Sequence, residues 1–139
     1  MSTQKKKRSA SYSRTKGNNY ERQIARELVK LGFSAKCARN VNHEADSNKV
    51  DIVDEENLLP PLQLKKTINI PNYFKIRSES TVNPEEFCLL WAKQEAKEKN
   101  ICTVGEIVLI PKSYFYKLIQ KYYGKSDCKL SRSGNTEGS

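Results

Sequence analysis

The stretch KVDIVDEENLLPPLQLKK, residues 49–66, has two short apolar runs separated by a turn rich in acidic residues. Each run mixes apolar and polar residues in the manner of a half-buried strand, so the stretch predicts a β-hairpin. Asp51 lies in the first predicted strand, and Gln63 and Lys65 lie in the second. Because residues two apart share one face of a strand, Gln63 and Lys65 point the same way, and pairing of the strands can bring Asp51 beside them.

Two interpretations of this polar face are open. Polar residues that alternate with leucines on an antiparallel strand are usually solvated, and the alternative is that they converge on one end of the sheet to form a site. Glu21 presents the same choice, because it stands three residues after Asn18 and fits the acidic position of a helix capping box.

Two helices surround the hairpin in the predicted fold. Residues 18–33 have apolar side chains at helical spacing, with Gly32 at the position of a C-terminal cap. A second helix is predicted over 84–94, because Asn83 and Glu86 are spaced as a capping box and a proline occupies the first helical position.

The remaining elements complete an α/β fold. Further strands are predicted at 33–39 and 105–110, a closing helix is predicted over 113–123, and residues 67–81 are predicted to be irregular. The order is α-β-β-β-α-β-α, a mixed central β-sheet flanked by helices.

Length and charge define the organisation and the class of partner. The chain of 139 residues suits one domain. We expect a basic disordered N-terminal arm at 1–16, a folded domain at 17–123 and a flexible tail at 124–139. The formal net charge of +9 favours nucleic acid as a partner, with an anionic membrane surface second.

The sequence predicts an intracellular protein, cytoplasmic or nucleoid-associated and not secreted. It contains no apolar run of membrane-spanning length and no apolar signal-peptide core. Its four cysteines are scattered without a CxxC pair, so we expect reduced thiols and no zinc site.

The run KGNNYERQIARELVKLGF, followed by Arg39, VDI and LQLKK, resembles the archaeal-type Holliday junction resolvases of the PD-(D/E)xK nuclease superfamily. The likeness covers residues 16–66 in order and spacing. It implies a restriction-endonuclease-like fold, a homodimer and a nuclease domain at 17–123. It also implies one metal-dependent phosphodiesterase site, whose catalytic residues are Glu21, Asp51, Gln63 and Lys65.

The chemistry of this site would require Mg2+ or Mn2+, which prefer oxygen ligands. The resemblance implies Glu21, Asp51, Gln63 and the carbonyl of Leu64 as ligands, with Lys65 orienting water and offsetting charge in the transition state. Gln63 departs from the family pattern, because an amide replaces a carboxylate and removes one negative charge. We therefore expect weaker metal binding and one metal ion rather than two. Acidic residues of the 54–60 turn are an alternative source of the missing charge.

Several basic residues are candidates for contact with the DNA backbone. Arg22 and Arg39 are implied by the resemblance. Lys75 and Arg77 belong to a basic and aromatic segment that has packing within a loop as its alternative role. The full set of candidates is Lys16, Arg22, Arg39, Lys66, Lys75 and Arg77.

The sequence thus predicts a Mg2+-dependent endodeoxyribonuclease that resolves four-way DNA junctions by paired nicks. The alternatives are a related nuclease acting on other DNA structures and a non-catalytic DNA-binding protein of the same fold.

Overall fold

The computed structural model describes residues 10–124, with side chains from residue 14 onward. These residues fall into two compact units, one ending at Leu109 and one beginning at Ile110. The helices are α1 (Ala10–Lys30), α2 (Ala38–Val41), α3 (His43–Ser47), α4 (Tyr73–Ser78) and α5 (Lys112–Tyr123), and the strands are β1 (Ala35–Cys37), β2 (Ile52–Asp54), β3 (Leu62–Thr67), β4 (Cys88–Lys97) and β5 (Asn100–Leu109). No helix within the described range is long and apolar enough to cross a membrane.

The first unit contains a five-stranded mixed sheet in the order β1-β2-β3-β4-β5. Strands β3 and β4 are parallel, and every other neighbouring pair is antiparallel. The predicted hairpin is confirmed, because Cys37, Ile52 and Leu62 lie in register across β1, β2 and β3. The predicted mixed sheet flanked by helices is therefore correct at the level of fold class.

Helix α1 covers β1 and β3 and buries Tyr20 and Ile24. Gly32 ends it as predicted, with a positive φ of 102° that suits glycine, and the amide of Phe33 donates to the carbonyl of Leu28 at 3.1 Å. The helix begins at Ala10, seven residues before the predicted start of the folded domain at Gly17. Residues 1–9 of the predicted arm and 125–139 of the predicted tail lie outside the described residues.

The helix predicted over 84–94 is wrong. One turn of 3-10 helix spans Pro84–Glu86, and the chain then enters β4, a ten-residue strand with β3 on one side and β5 on the other. The capping-box pattern misled the prediction because Asn83 adopts a left-handed backbone conformation (φ 38°) instead of a cap conformation. The apolar run that follows is buried on both faces of the sheet, as central strands require.

Short helices lie in the connection between β1 and β2 and in the segment 67–81. Helices α2 and α3 occupy the connection between β1 and β2, and Asn42 caps α3 by accepting from the amide of Ala45 at 3.0 Å. Helix α4 lies in the segment that was predicted to be irregular, with Asn72 accepting from the amide of Lys75 at 3.1 Å. Side-chain caps of this kind stabilise single turns that have little propensity of their own.

The core of the sheet centres on β4 and its neighbours. Phe87 and Leu89 are fully buried, Ile52 is 1% exposed, and Trp91 donates from its indole nitrogen to the Thr67 hydroxyl at 3.0 Å. Phe87 and Trp91 are therefore core residues, and a strand carries Trp91.

We expect Leu89→Ala to lower the free energy of unfolding by about 2–5 kcal/mol, because it leaves a cavity in a fully buried position. Leu58→Ala, at a turn position that is 65% exposed, should change it by less than about 0.5 kcal/mol. Urea denaturation of the three proteins measures both values. Equal stability of the two variants would contradict the assignment of the core to β4.

Candidate functional site

Asp51 lies at the entrance to β2, and three hydrogen bonds to backbone groups of other residues define its position. Its amide donates to the carbonyl of Leu62 at 2.8 Å, and its carbonyl accepts from the amide of Ala38 at 2.8 Å. Its carboxylate reaches across the hairpin, where Oδ2 accepts from the amide of Leu64 at 2.9 Å. The side chain is therefore anchored to the neighbouring strand instead of projecting into solvent.

Gln63 is buried beside this carboxylate, with 6% of its surface exposed. Its amide nitrogen donates to Asp51 Oδ2 at 2.8 Å and to the carbonyl oxygen of Leu64 at 3.2 Å. Its amide oxygen is shielded from solvent and has no hydrogen-bond partner among the residues that the structure describes. A buried acceptor without a donor costs about 1–3 kcal/mol, so this oxygen is available for a ligand.

Burial raises the pKa of Asp51 from its ordinary value of 3.8 to about 6. The hydrogen bond from the Leu64 amide opposes this shift, the negative charges of Glu21 and Asp46 add to it, and the positive charge of Lys65 reduces it. These influences show that Glu21 and Lys65 lie within electrostatic range of Asp51. Of the four residues predicted as catalytic, the structure thus places Gln63 in contact with Asp51 and places Glu21 and Lys65 within electrostatic range of it.

Glu21 is held by an arginine that the sequence predicted as a DNA contact. Arg39 Nε donates to Glu21 Oε1 at 2.8 Å, and the two side chains are 25% and 15% exposed. The capping-box alternative for Glu21 is excluded, because α1 begins eleven residues before it. Sequence reasoning missed this pairing, since the partners are separated by eighteen positions and no local spacing connects them.

Two acidic residues of the predicted turn, Asp54 and Glu55, make local contacts within or beside the turn. Asp54 accepts from the amides of Glu56 and Leu58 at 3.1 and 2.9 Å, and Glu55 pairs with Lys36 at 2.7 Å. These contacts account for Asp54 and Glu55 without a metal, so they do not supply the charge that Gln63 lacks.

The donors around Asp51 suit a hard divalent cation. A carboxylate, an amide oxygen without a partner and a backbone carbonyl are oxygen ligands of the kind that Mg2+ and Mn2+ prefer, and the carboxylate of Glu21 lies nearby. Within residues 10–124, no three histidine, cysteine, aspartate or glutamate side chains form a metal-binding group. Any cation here would therefore depend on neutral oxygens as much as on carboxylates.

A groove of about 620 Å³ extends from Lys65 along the sheet to α4. Lys16, Lys65 and Lys75 line it, together with polar groups that the sequence did not single out. These polar groups are Thr67, Asn69, Asn72 and Glu79, the last of which pairs with Lys49 at 3.7 Å. No sequence signal marks them, because they become neighbours only when α4 lies alongside the end of β3.

The other residues predicted to contact DNA do not line this groove. Arg77 stacks over the ring of Phe74 at 5.5 Å, and Lys66 lies 5.5 Å from the centre of the Tyr20 ring. Arg22 donates to the side chain of Asn19 at 2.7 Å. Of the six predicted contacts, the groove gathers only Lys16 and Lys75.

Comparisons with protein-family models, curated proteins and solved structures found no match to this chain.

We expect Asp51→Asn to stabilise the metal-free protein at pH 8 but not at pH 4. Because the folded-state pKa of Asp51 is raised, wild-type stability falls as pH rises from about 4 to above 6, and asparagine does not titrate. The rise of the pKa from 3.8 to about 6 corresponds to roughly 3 kcal/mol, and partial exposure reduces this to about 2 kcal/mol. The measurement is the difference in unfolding free energy between variant and wild type at pH 4 and pH 8, in EDTA. A difference that does not change with pH would contradict the raised pKa.

Proposed function

We propose that this protein is a metal-dependent endodeoxyribonuclease that acts on branched DNA and resolves four-way junctions by paired nicks. The observation that carries the proposal is the contact of the Gln63 amide nitrogen with both the Asp51 carboxylate and the Leu64 carbonyl. Each comes from the position that the resemblance to archaeal-type Holliday junction resolvases implies. Glu21 and Lys65, the other implied residues, lie within electrostatic range.

Asp51, Gln63, the Leu64 carbonyl and Glu21 would hold Mg2+ or Mn2+. The ion would polarise the phosphodiester and promote formation of a nucleophilic hydroxide. Gln63 would present its amide oxygen to the ion, and a half-turn of the terminal amide exchanges that oxygen with the nitrogen that now contacts Asp51. The neutral amide supports a single ion, because two carboxylates neutralise the charge of one divalent cation but not of two.

Lys65 acts on the substrate and not on the metal. As a half-buried point charge beside Asp51, it would orient the attacking water and offset negative charge on the phosphate in the transition state. The groove beyond it, lined by Lys16 and Lys75, suits the backbone of a DNA strand, and the net charge of +9 supports long-range attraction to DNA. Such a substrate would place the protein in the cytoplasm or at the nucleoid.

A homodimer would explain paired nicks, because two-fold symmetry presents two equal sites to two strands. Strand β5 supports this part of the proposal. No other strand in the described range pairs with its outer edge, and Val104, Ile107 and Val108 are each at least half exposed. An unpaired edge with exposed apolar side chains is a surface that proteins commonly cover by association.

Gln63 also favours a second candidate function, a DNA-binding protein that has lost catalysis. A neutral amide lowers the charge of the site, and Arg39 already occupies Glu21. Such a protein would bind junctions without cleaving them. A third outcome is a nuclease that prefers linear duplex or single strands, for which the same residues would serve.

The test is incubation of the purified protein with a synthetic four-way junction and Mg2+ or Mn2+. We expect symmetric nicks from the wild type, no cleavage by Asp51→Ala, and a rate lower by about 100-fold or more for Lys65→Met. Lys36→Met is the matched control, because Lys36 is a strand lysine whose partner is the turn residue Glu55.

Binding without divalent-dependent nicks would favour the non-catalytic function. Preference for linear DNA in competition at fixed salt would favour the third. Cleavage that survives Asp51→Ala would refute the proposed site.

We expect Gln63→Glu to strengthen Mn2+ binding by about tenfold in the absence of DNA, because it adds a negative charge to the ligands. Gln63→Leu should weaken binding, because it removes the oxygen while filling a similar volume. Isothermal titration calorimetry measures both affinities. Unchanged Mn2+ affinity in both variants would show that Gln63 does not contact the ion.

A further inference from the structure

The ion pair between Arg39 and Glu21 leaves part of the arginine unused. Arg39 Nε donates to Glu21 at 2.8 Å and Nη1 donates to the side chain of Asn40 at 3.3 Å. Nη2 is shielded from solvent and has no hydrogen-bond partner within residues 14–124, where side chains are described. A guanidinium has five N–H donors and remains charged in proteins, so this shielded nitrogen is a charged donor without an acceptor.

The location of this pair connects it to the site around Asp51. Arg39 lies in α2, directly after Ala38, whose amide donates to the carbonyl of Asp51 at 2.8 Å. The thiol of Cys37, which precedes both, is influenced electrostatically by Glu21, Arg39, Arg22 and Asp51, and burial is the largest cause of its raised pKa. The guanidinium therefore lies among the groups of the candidate metal site.

Glu21 has two competing partners. While Arg39 neutralises it, its carboxylate has less negative charge to offer a cation. If Glu21 turned to a cation, the guanidinium would lose its only carboxylate partner among the described residues and would be left half-buried without a counterion, which is costly. A second anion is needed to remove this cost. A phosphate group suits the guanidinium, because its oxygens accept two parallel hydrogen bonds from an arginine.

We propose that Arg39 exchanges Glu21 for a phosphate of the DNA and thereby couples DNA binding to metal binding. Without DNA, the arginine holds Glu21 and metal affinity is low. With a backbone phosphate on Arg39, Glu21 is released to the cation. This inference rests on the proposed function, and it makes Arg39 a positioning residue that controls when the ligand set is complete.

The alternative is a permanent structural ion pair that joins α1 to α2. The two models differ in what removal of the arginine does to metal affinity. If the pair is structural, its loss leaves Glu21 misplaced and metal binding falls. If the pair is exchanged, its loss frees Glu21 and metal binding rises.

The experiment measures Mn2+ affinity by calorimetry with and without a four-way junction. All proteins carry Lys65→Met so that the DNA stays intact. With Arg39 present, we expect the junction to raise Mn2+ affinity about tenfold or more, and Mn2+ to raise junction affinity by the same factor. With Arg39→Gln, we expect Mn2+ affinity without DNA to rise several-fold and the effect of the junction to fall to about twofold or less.

Arg26→Gln is the matched control, because Arg26 is an exposed arginine of α1 and its loss removes the same charge. It should leave the effect of the junction on Mn2+ affinity unchanged. Weaker Mn2+ binding by Arg39→Gln, full retention of the coupling in that variant, or an equal change in Arg26→Gln would each overturn the exchange.

A second measurement does not require a variant that folds. In the wild-type protein in EDTA, the NMR signal of the Arg39 Nε–H group should shift when the junction is added, because its acceptor changes from carboxylate to phosphate. An unmoved signal in a saturated complex would overturn the proposal. If the wild-type protein cleaves junctions but DNA and Mn2+ do not change each other's affinity, only the exchange is refuted. If DNA and Mn2+ raise each other's affinity but no cleavage occurs, only the nuclease activity is refuted.

Discussion

The carboxylate of Asp51 accepts the amide of Leu64 across the hairpin, and the arrangement of the site depends on this bond. It joins the entrance of β2 to the middle of β3 and draws a charged group into a place where burial raises its pKa to about 6. Gln63 then contributes a second donor to the same oxygen. The negative charge of Asp51 is thus held between β2 and β3 by neutral donors, and its burial lowers the stability of the folded protein.

The stability lost by burying the Asp51 carboxylate has a consequence for the rest of the site. A buried carboxylate with a raised pKa favours any cation that can approach it, and Gln63 beside it has a buried amide oxygen without a hydrogen-bond partner among the described residues. The glutamine also keeps a third carboxylate away from Asp51 and Glu21, which would otherwise repel both. The metal-free protein is therefore less strained than a site with three acids, and we infer weaker metal binding as the corresponding cost.

Alternation and helical spacing are local patterns, and they predicted the hairpin and α1 with its glycine cap. The set of Glu21, Asp51, Gln63 and Lys65 was implied by the family resemblance. The sequence did not predict β4. The run from Cys88 to Ala92 is apolar without a clear period, and the local capping pattern before it was stronger evidence for a helix than for a strand. Only the pairing of β4 between β3 and β5 resolves that ambiguity, because it satisfies the backbone on both sides.

The sequence by itself determined the polarity of the hairpin faces, the basic character of the chain and the residue types available for chemistry. The tertiary structure decided which of those residues meet. Arg39 pairs with Glu21, and Lys16 joins Lys75 along a groove, because packing of α1, α2 and α4 around the sheet brings distant positions together. The energies of such contacts depend on burial and distance, which no spacing along the chain specifies.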